Sequence, residues 1–148
     1  MLSGMSGSNG VVLRKLALLE EVLAELRSLG TPDAGELARD WRTRRAVERD
    51  LQILVEVVID VCQRLIALAG HAPATSGAEA IRRCVQMGVL GSDEPYRRMV
   101  QFRNFVVHRY DAVRPEMLAE ILEGHLEDFA RFREEVLAYV GRDGSGGA

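Results

Sequence analysis

The sequence predicts an all-α fold, an antiparallel bundle of about five helices with one long second helix. Apolar residues recur in alternating steps of three and four, and no segment shows the two-residue alternation of a strand. Glycine and proline punctuate the chain between the periodic stretches. Composition agrees, because 47% of the 148 residues are apolar but only 5% are aromatic, which suits helix packing better than a sandwich. The chain is long enough for one self-sufficient core, expected over residues 11–140. Residues 1–10, rich in Gly and Ser, read as a disordered lead or a tag remnant, and the Gly-rich residues 141–148 as a disordered tail.

From Val12, the positions Leu16, Leu19, Leu23 and Leu26 make one helical stripe, which Gly30 ends. Thr31-Pro32-Asp33 opens the second helix, expected from about Gly35 to Ala69. Val47, Leu51, Leu54, Val58, Val61 and Leu65 keep the rhythm, so its inner half is a bundle seam. The outer half is far more charged, with Arg39, Asp40, Arg42, Arg44, Arg45, Glu48 and Arg49 around Trp41. Glu56, Asp60 and Arg64 follow at i+4 steps. They read either as a surface ion-pair ladder, the preferred reading for Glu56, or with Glu56 or Asp60 facing Arg103 across the bundle; for Asp60 the two readings balance. Gly70-His71-Ala72-Pro73 breaks the chain, and Ser76-Gly77-Ala78-Glu79 is a capping box for a short helix carrying Ile81, Cys84 and Val85. Gly88 and Gly91 close it.

The next helix carries the chemistry. Ser92 or Asp93 can cap it and Pro95 suits its first turn, while Pro115 restrains Arg114, so the helix should stop between Tyr110 and Arg114. Arg103 would then share a face with Tyr96, Val100, Val107 and Tyr110, with Met99, Phe102 and Val106 as a second apolar edge. A helix apolar over so wide an arc should be mostly buried. A lone guanidinium on such a face is costly, so an anion, a cavity or a subunit boundary must lie beside Arg103. Asn104 and His108 stack at i, i+4, and Asn104 could either bond the imidazole or cap the helix surface. Imidazole both takes and gives protons near neutrality, which makes His108 the candidate acid/base. After Pro115 a fifth helix aligns Leu118, Leu122, His125, Phe129, Phe132 and Val136; His125 there reads as a bonded core histidine.

Other classes find little support. No apolar run reaches the roughly 20 residues that cross a bilayer. The longest, Leu51 to Ala69, is broken by Glu56, Asp60, Gln63 and Arg64. With no secretory leader evident, a cytoplasmic protein is expected. Cys62 and Cys84 lack zinc-like spacing and read as small buried hydrophobes. Glu123-Gly124-His125 has the wrong interval for a helical di-metal site, so no metal or cofactor is expected. Net charge is −3, yet Arg82, Arg83, Arg97, Arg98, Arg103, Arg109 and Arg114 outnumber Asp93, Glu94 and Asp111 around the histidine, a local phosphate-seeking patch.

The spacing Arg103-x-x-x-x-His108-x-Tyr110, with Asn104 after the arginine, resembles the signature of the HEPN superfamily. In particular it resembles the HepT-like toxins, all-helical ribonucleases paired with a minimal nucleotidyltransferase antitoxin. Trp41-Arg42-x-Arg44-Arg45-Ala46-Val47-Glu48-Arg49-x-Leu51-Gln52, followed by Glu56 and Asp60, resembles that family's long second helix, and the likeness runs from about Leu13 to Val140. The resemblance implies a metal-independent endoribonuclease toxin of a type VII-like toxin-antitoxin pair, acting on RNA at a homodimer cleft. Arg103 and His108 would be catalytic and Asn104 supporting, with Asp60 a possible acidic partner from the second helix. Tyr110 would be the residue to which the cognate nucleotidyltransferase attaches AMP, silencing the toxin. The alternative is a non-catalytic helical module for dimerisation or nucleotide binding.

Overall fold

The computed structural model describes the backbone of residues 2–146 and the side chains of residues 9–142. Its α-helices are α1 (Leu2–Arg27), α2 (Ala34–Arg39), α3 (Trp41–Leu68), α4 (Gly77–Gln86), α5 (Tyr96–His108), α6 (Pro115–Gly124) and α7 (Glu127–Gly146), with a short 3-10 turn at Tyr110–Ala112. The all-α class holds, and no strand occurs among the described residues.

The helix count exceeds the expected five because two predicted helices are each split. Asp40 is extended (φ −117°, ψ 90°) and its carboxylate accepts from the Thr43 amide at 3.2 Å and the Thr43 hydroxyl at 2.7 Å. Those bonds hold its carboxyl below the usual range, and they stabilise a fresh helix start that outcompetes continuation. Asp33 begins α2 with a full capping box to Glu36. The second split falls at Gly124-His125, where His125 adopts φ −127° and ψ 2° and α6 ends. At the chain ends α1 is helical from Leu2 and α7 through Gly146. Extending a nucleated helix is cheap, and a glycine within it costs only about 1 kcal/mol. Residues 1, 147 and 148 lie outside the described residues.

α3 is the axis of the bundle and packs against α1, α2, α4, α5 and α6. Its seam residues Val47, Leu51, Leu54, Val58, Val61 and Leu65 are all buried, as are Leu16, Leu19, Leu23 and Leu26 of α1. Each such side chain contributes roughly 1.5–3 kcal/mol by leaving water. Cys62 and Cys84 are free thiols within this core.

Two devices fix α5 on this frame. Tyr96, its first residue, is fully buried, packs edge-on to Phe132 of α7 at 5.6 Å, and donates its hydroxyl to Glu135 at 2.9 Å. Burial and the Glu135 carboxylate push the phenol well above its ordinary range, so it stays a donor. The other device is Gly77, the first residue of α4, wedged where α4 meets α3 and α5. A Cβ there would stand 2.9 Å from Ile59 Cδ1 and 3.0 Å from Val100 Cγ1. Gly77→Ala should therefore destabilise the fold by about 1–3 kcal/mol, read as a lower urea midpoint with unchanged slope.

Asp50 of α3 faces Glu25 of α1. Partial burial, and then the Glu25 carboxylate, raise its carboxyl above the ordinary value. A raised carboxyl contributes stability below the unfolded-chain value and loses it as pH rises through the folded one. Asp50→Asn should thus stabilise the protein at neutral pH by about 0.5 kcal/mol, the scale of solvent-screened charge pairs. Denaturation midpoints of the two proteins should converge in acid.

Candidate active site

The end of α5 departs from sequence expectation. His108 is its last residue, Arg109 leaves helical geometry at φ −140° and ψ 49°, and Tyr110 begins the 3-10 turn. Tyr110 is therefore outside the helix rather than two turns above Arg103 on one face. The helix is also less buried than its apolar arc implies. Tyr96, Met99, Val100 and Val106 are buried, but Val107 is 43% and Tyr110 69% exposed, and His108 and Arg109 are exposed too. The core face of α5 runs from Tyr96 to Val106, and its end at Val107 and His108 stands in solvent.

Arg103 sits at the boundary between the two. Its side chain is 33% exposed, and its Nε lies 3.9 Å from Oε2 of Glu56 on α3. That separation gives charge attraction without a hydrogen bond, and the buried Nε has no bonding partner among the described residues. Nη1 donates to Asn104 Oδ1 at 3.0 Å. Gln52 Nε2 donates to the same Glu56 oxygen at 3.0 Å and holds it in place. The anion required beside Arg103 is thus Glu56, the residue for which a surface ladder was preferred.

Asp60, suggested as the acidic partner, instead pairs with Lys15 of α1 at 3.3 Å. One helical turn, about 5.4 Å along α3, separates the two acids and places them beside different neighbours. Asn104 is brought to Arg103, not to the imidazole. His108 has no hydrogen-bond partner among the described residues. The side chains of Arg103, Asn104, His108 and Tyr110 thus come from one helix end and the turn after it, with Gln52 and Glu56 beneath.

Part of the arginine patch is already committed. Arg82 pairs with Glu79, Arg97 with Glu94, and Arg83 donates to the Ala72 carbonyl. Arg98, Arg109 and Arg114 are exposed and make no ion pair among the described residues. His125 is bonded to Asp128 at 3.3 Å as expected, but it is half-buried at the edge of the bundle rather than in its core. It lines a small apolar cleft with Leu51, Val55, Met99, Phe102 and Phe129. Met99 and Phe102 reach that cleft from the opposite side of α5 to Asn104 and His108. Among the described residues, no three His, Cys, Asp or Glu side chains converge as a metal site would need.

Sequence reading weighed Glu56 as facing Arg103 but missed Gln52, for which the i, i+4 spacing to Glu56 was the available signal. Chemically, the arrangement offers a guanidinium with donors to spare and, five residues on and about 140° round the helix, an accessible imidazole. The first is suited to binding phosphate and the second to proton exchange.

Comparison with known proteins bears on this site. The family described as ribonuclease HepT-like matches residues 19–136. The mRNA nuclease HepT of Shewanella oneidensis is 20% identical over 132 residues, covering 88% of this chain and 98% of that protein. Among solved structures, a tri-AMPylated HEPN toxin of Shewanella oneidensis in complex with MNT antitoxin is 21% identical and superposes with a TM-score of 0.78, covering 86% of this chain and 97% of that one. A toxin-antitoxin structure with AMP-PNP is 20% identical, with a TM-score of 0.79, and covers 88% of this chain and 99% of its own. At such identities the structural matches speak for the fold.

Proposed function

The chain belongs to the HepT-like ribonuclease family, and on that premise we propose that it is a metal-independent endoribonuclease toxin acting at a homodimer cleft. The observation that carries the reading is Arg103. Its guanidinium is tethered by Asn104 and faced by Glu56, its Nε is buried and unbonded, and the exposed His108 follows five residues on along the same helix. The Nη donors that Asn104 does not use are left to meet a phosphate.

In the proposed reaction the ribose 2′-oxygen attacks the adjacent phosphorus and the bond to the 5′-oxygen breaks, leaving a 2′,3′-cyclic phosphate. One His108 takes the 2′-hydroxyl proton and a second gives one to the departing 5′-oxygen. Arg103 steadies the phosphate, whose negative charge grows as the bond forms. One chain offers one such histidine, so pairing of two copies supplies both the base and the acid. The exposed Val107 and Tyr110 flank the motif and support a subunit boundary there.

Regulation belongs to the same reading. Tyr110 is 69% exposed and sits in a turn, accessible to a modifying enzyme. We assign it as the acceptor of AMP from a cognate minimal nucleotidyltransferase. The added phosphodiester would set an anion and a bulky nucleoside beside Arg103 and His108, competing with RNA.

The test is cleavage of RNA by the purified protein in excess EDTA, with the oligomeric state measured in parallel. The expected result is cutting undiminished by EDTA and a dimer in solution. A dimer that cuts no RNA would favour the non-catalytic module. On co-expression with the nucleotidyltransferase, intact mass should rise by adenylyl groups, and Tyr110→Phe should abolish that rise while leaving cleavage within about threefold of wild type. A mass rise that survives Tyr110→Phe would move the modification elsewhere.

A further inference from the structure

The first turns of α3 carry a surface that the α5 site does not use. Successive helical residues turn by about 100°, so Trp41, Arg45, Arg49 and Arg42 fall within about 100° of arc, on the side away from the buried Val47 and Leu51. All four are exposed, and Trp41, at 61%, is one of the most exposed large apolar side chains described. The Arg42 guanidinium lies over the indole, 5.4 Å from its centroid.

The acids near this stripe neutralise it only in part. Asp40 is held by Thr43 but also attracts Arg42, Asp50 attracts Arg49 while meeting Glu25, and Glu48 faces Arg44 at 4.0 Å. Arg42, Arg45 and Arg49 make no ion pair among the described residues. Like charges at i, i+4, as in Arg45 and Arg49, weaken a helix, and an exposed tryptophan adds nothing to the core. The stripe is thus a locally positive, aromatic-bearing surface in a chain whose net charge is −3.

We propose that Trp41 with Arg42, Arg45 and Arg49 forms a second binding surface for single-stranded RNA, separate from the cleavage site. The arginines would neutralise successive phosphates while an unstacked base lies on the indole. Charge complementarity selects a polyanion, and the aromatic platform selects one that displays flat bases, which an acidic protein surface or a closed duplex does not. The choice of RNA rests on the reading proposed above, but the surface holds RNA and does not cut it.

The experiment measures binding of a fluorescein-labelled oligouridine of about 20 nucleotides by anisotropy, in the His108→Ala background to prevent cleavage. Trp41→Ala should weaken binding about tenfold or more, and Trp41→Phe, which keeps a π-face, should recover most of the loss. Replacing Arg42, Arg45 and Arg49 together by Ala should lower the slope of log affinity against log salt by about 2. Binding and salt slope equal to the parent would overturn the proposal. So would unchanged oligouridine binding with loss of the nucleotidyltransferase complex, which would assign the stripe to a protein partner. Cleavage by the otherwise wild-type chain separates the two readings. Cutting with unaltered binding in the stripe variants sinks only this surface, whereas altered binding without any cutting sinks only the nuclease.

Discussion

His108→Ala should slow RNA cleavage by about 10²–10⁴-fold, the usual contribution of a positioned proton-transfer group. The loss should fall on the chemical step, lowering kcat with little change in KM, because an exposed imidazole without partners contributes little to ground-state binding. Stability should hardly change for the same reason. Single-turnover rates on a defined RNA, with thermal midpoints of both proteins, check this. A variant cutting as fast as wild type would remove His108 from the chemistry.

Arg103→Ala should cost about 10²–10³-fold, as loss of one charge-stabilising group at a transition state commonly does. Arg103→Lys should restore little of it. An ammonium is a point charge and cannot keep one donor on Asn104 while directing a planar fork at phosphate. Arg103 also faces Glu56, so the alanine variant leaves a half-buried carboxylate without its cation. Part of the effect could then be structural, and Glu56→Gln paired with Arg103→Ala separates the two. If cleavage stays low in the double variant while stability recovers, the role of Arg103 is in the reaction.

Helix identity was legible in this sequence because apolar periodicity reports burial directly: the stripes from Leu16 to Leu26 and from Val47 to Leu65 are the observed core. Helix ends were less so. Asp40 and His125 end helices by local bonds and backbone angles that periodicity passes over. The residues of the site were visible as a spacing, but their environment was not. Whether Glu56 or Asp60 meets Arg103 depends on how far along α3 the next helices cross, a tertiary fact with no local signal. The exposed last turn of α5 was hidden likewise, since an apolar arc looks the same whether its own bundle or a second subunit covers it.

The central claim is that the ribose 2′-hydroxyl is the nucleophile and that His108 handles its proton without a metal. The most direct measurement compares, in EDTA, two RNAs identical except for a single 2′-deoxy nucleotide on the 5′ side of the cleavage site. The intact RNA should be cut to a 2′,3′-cyclic phosphate end and the substituted one left uncut at that position. Equal cutting of both would contradict the claim, since the reaction would then be using an external nucleophile.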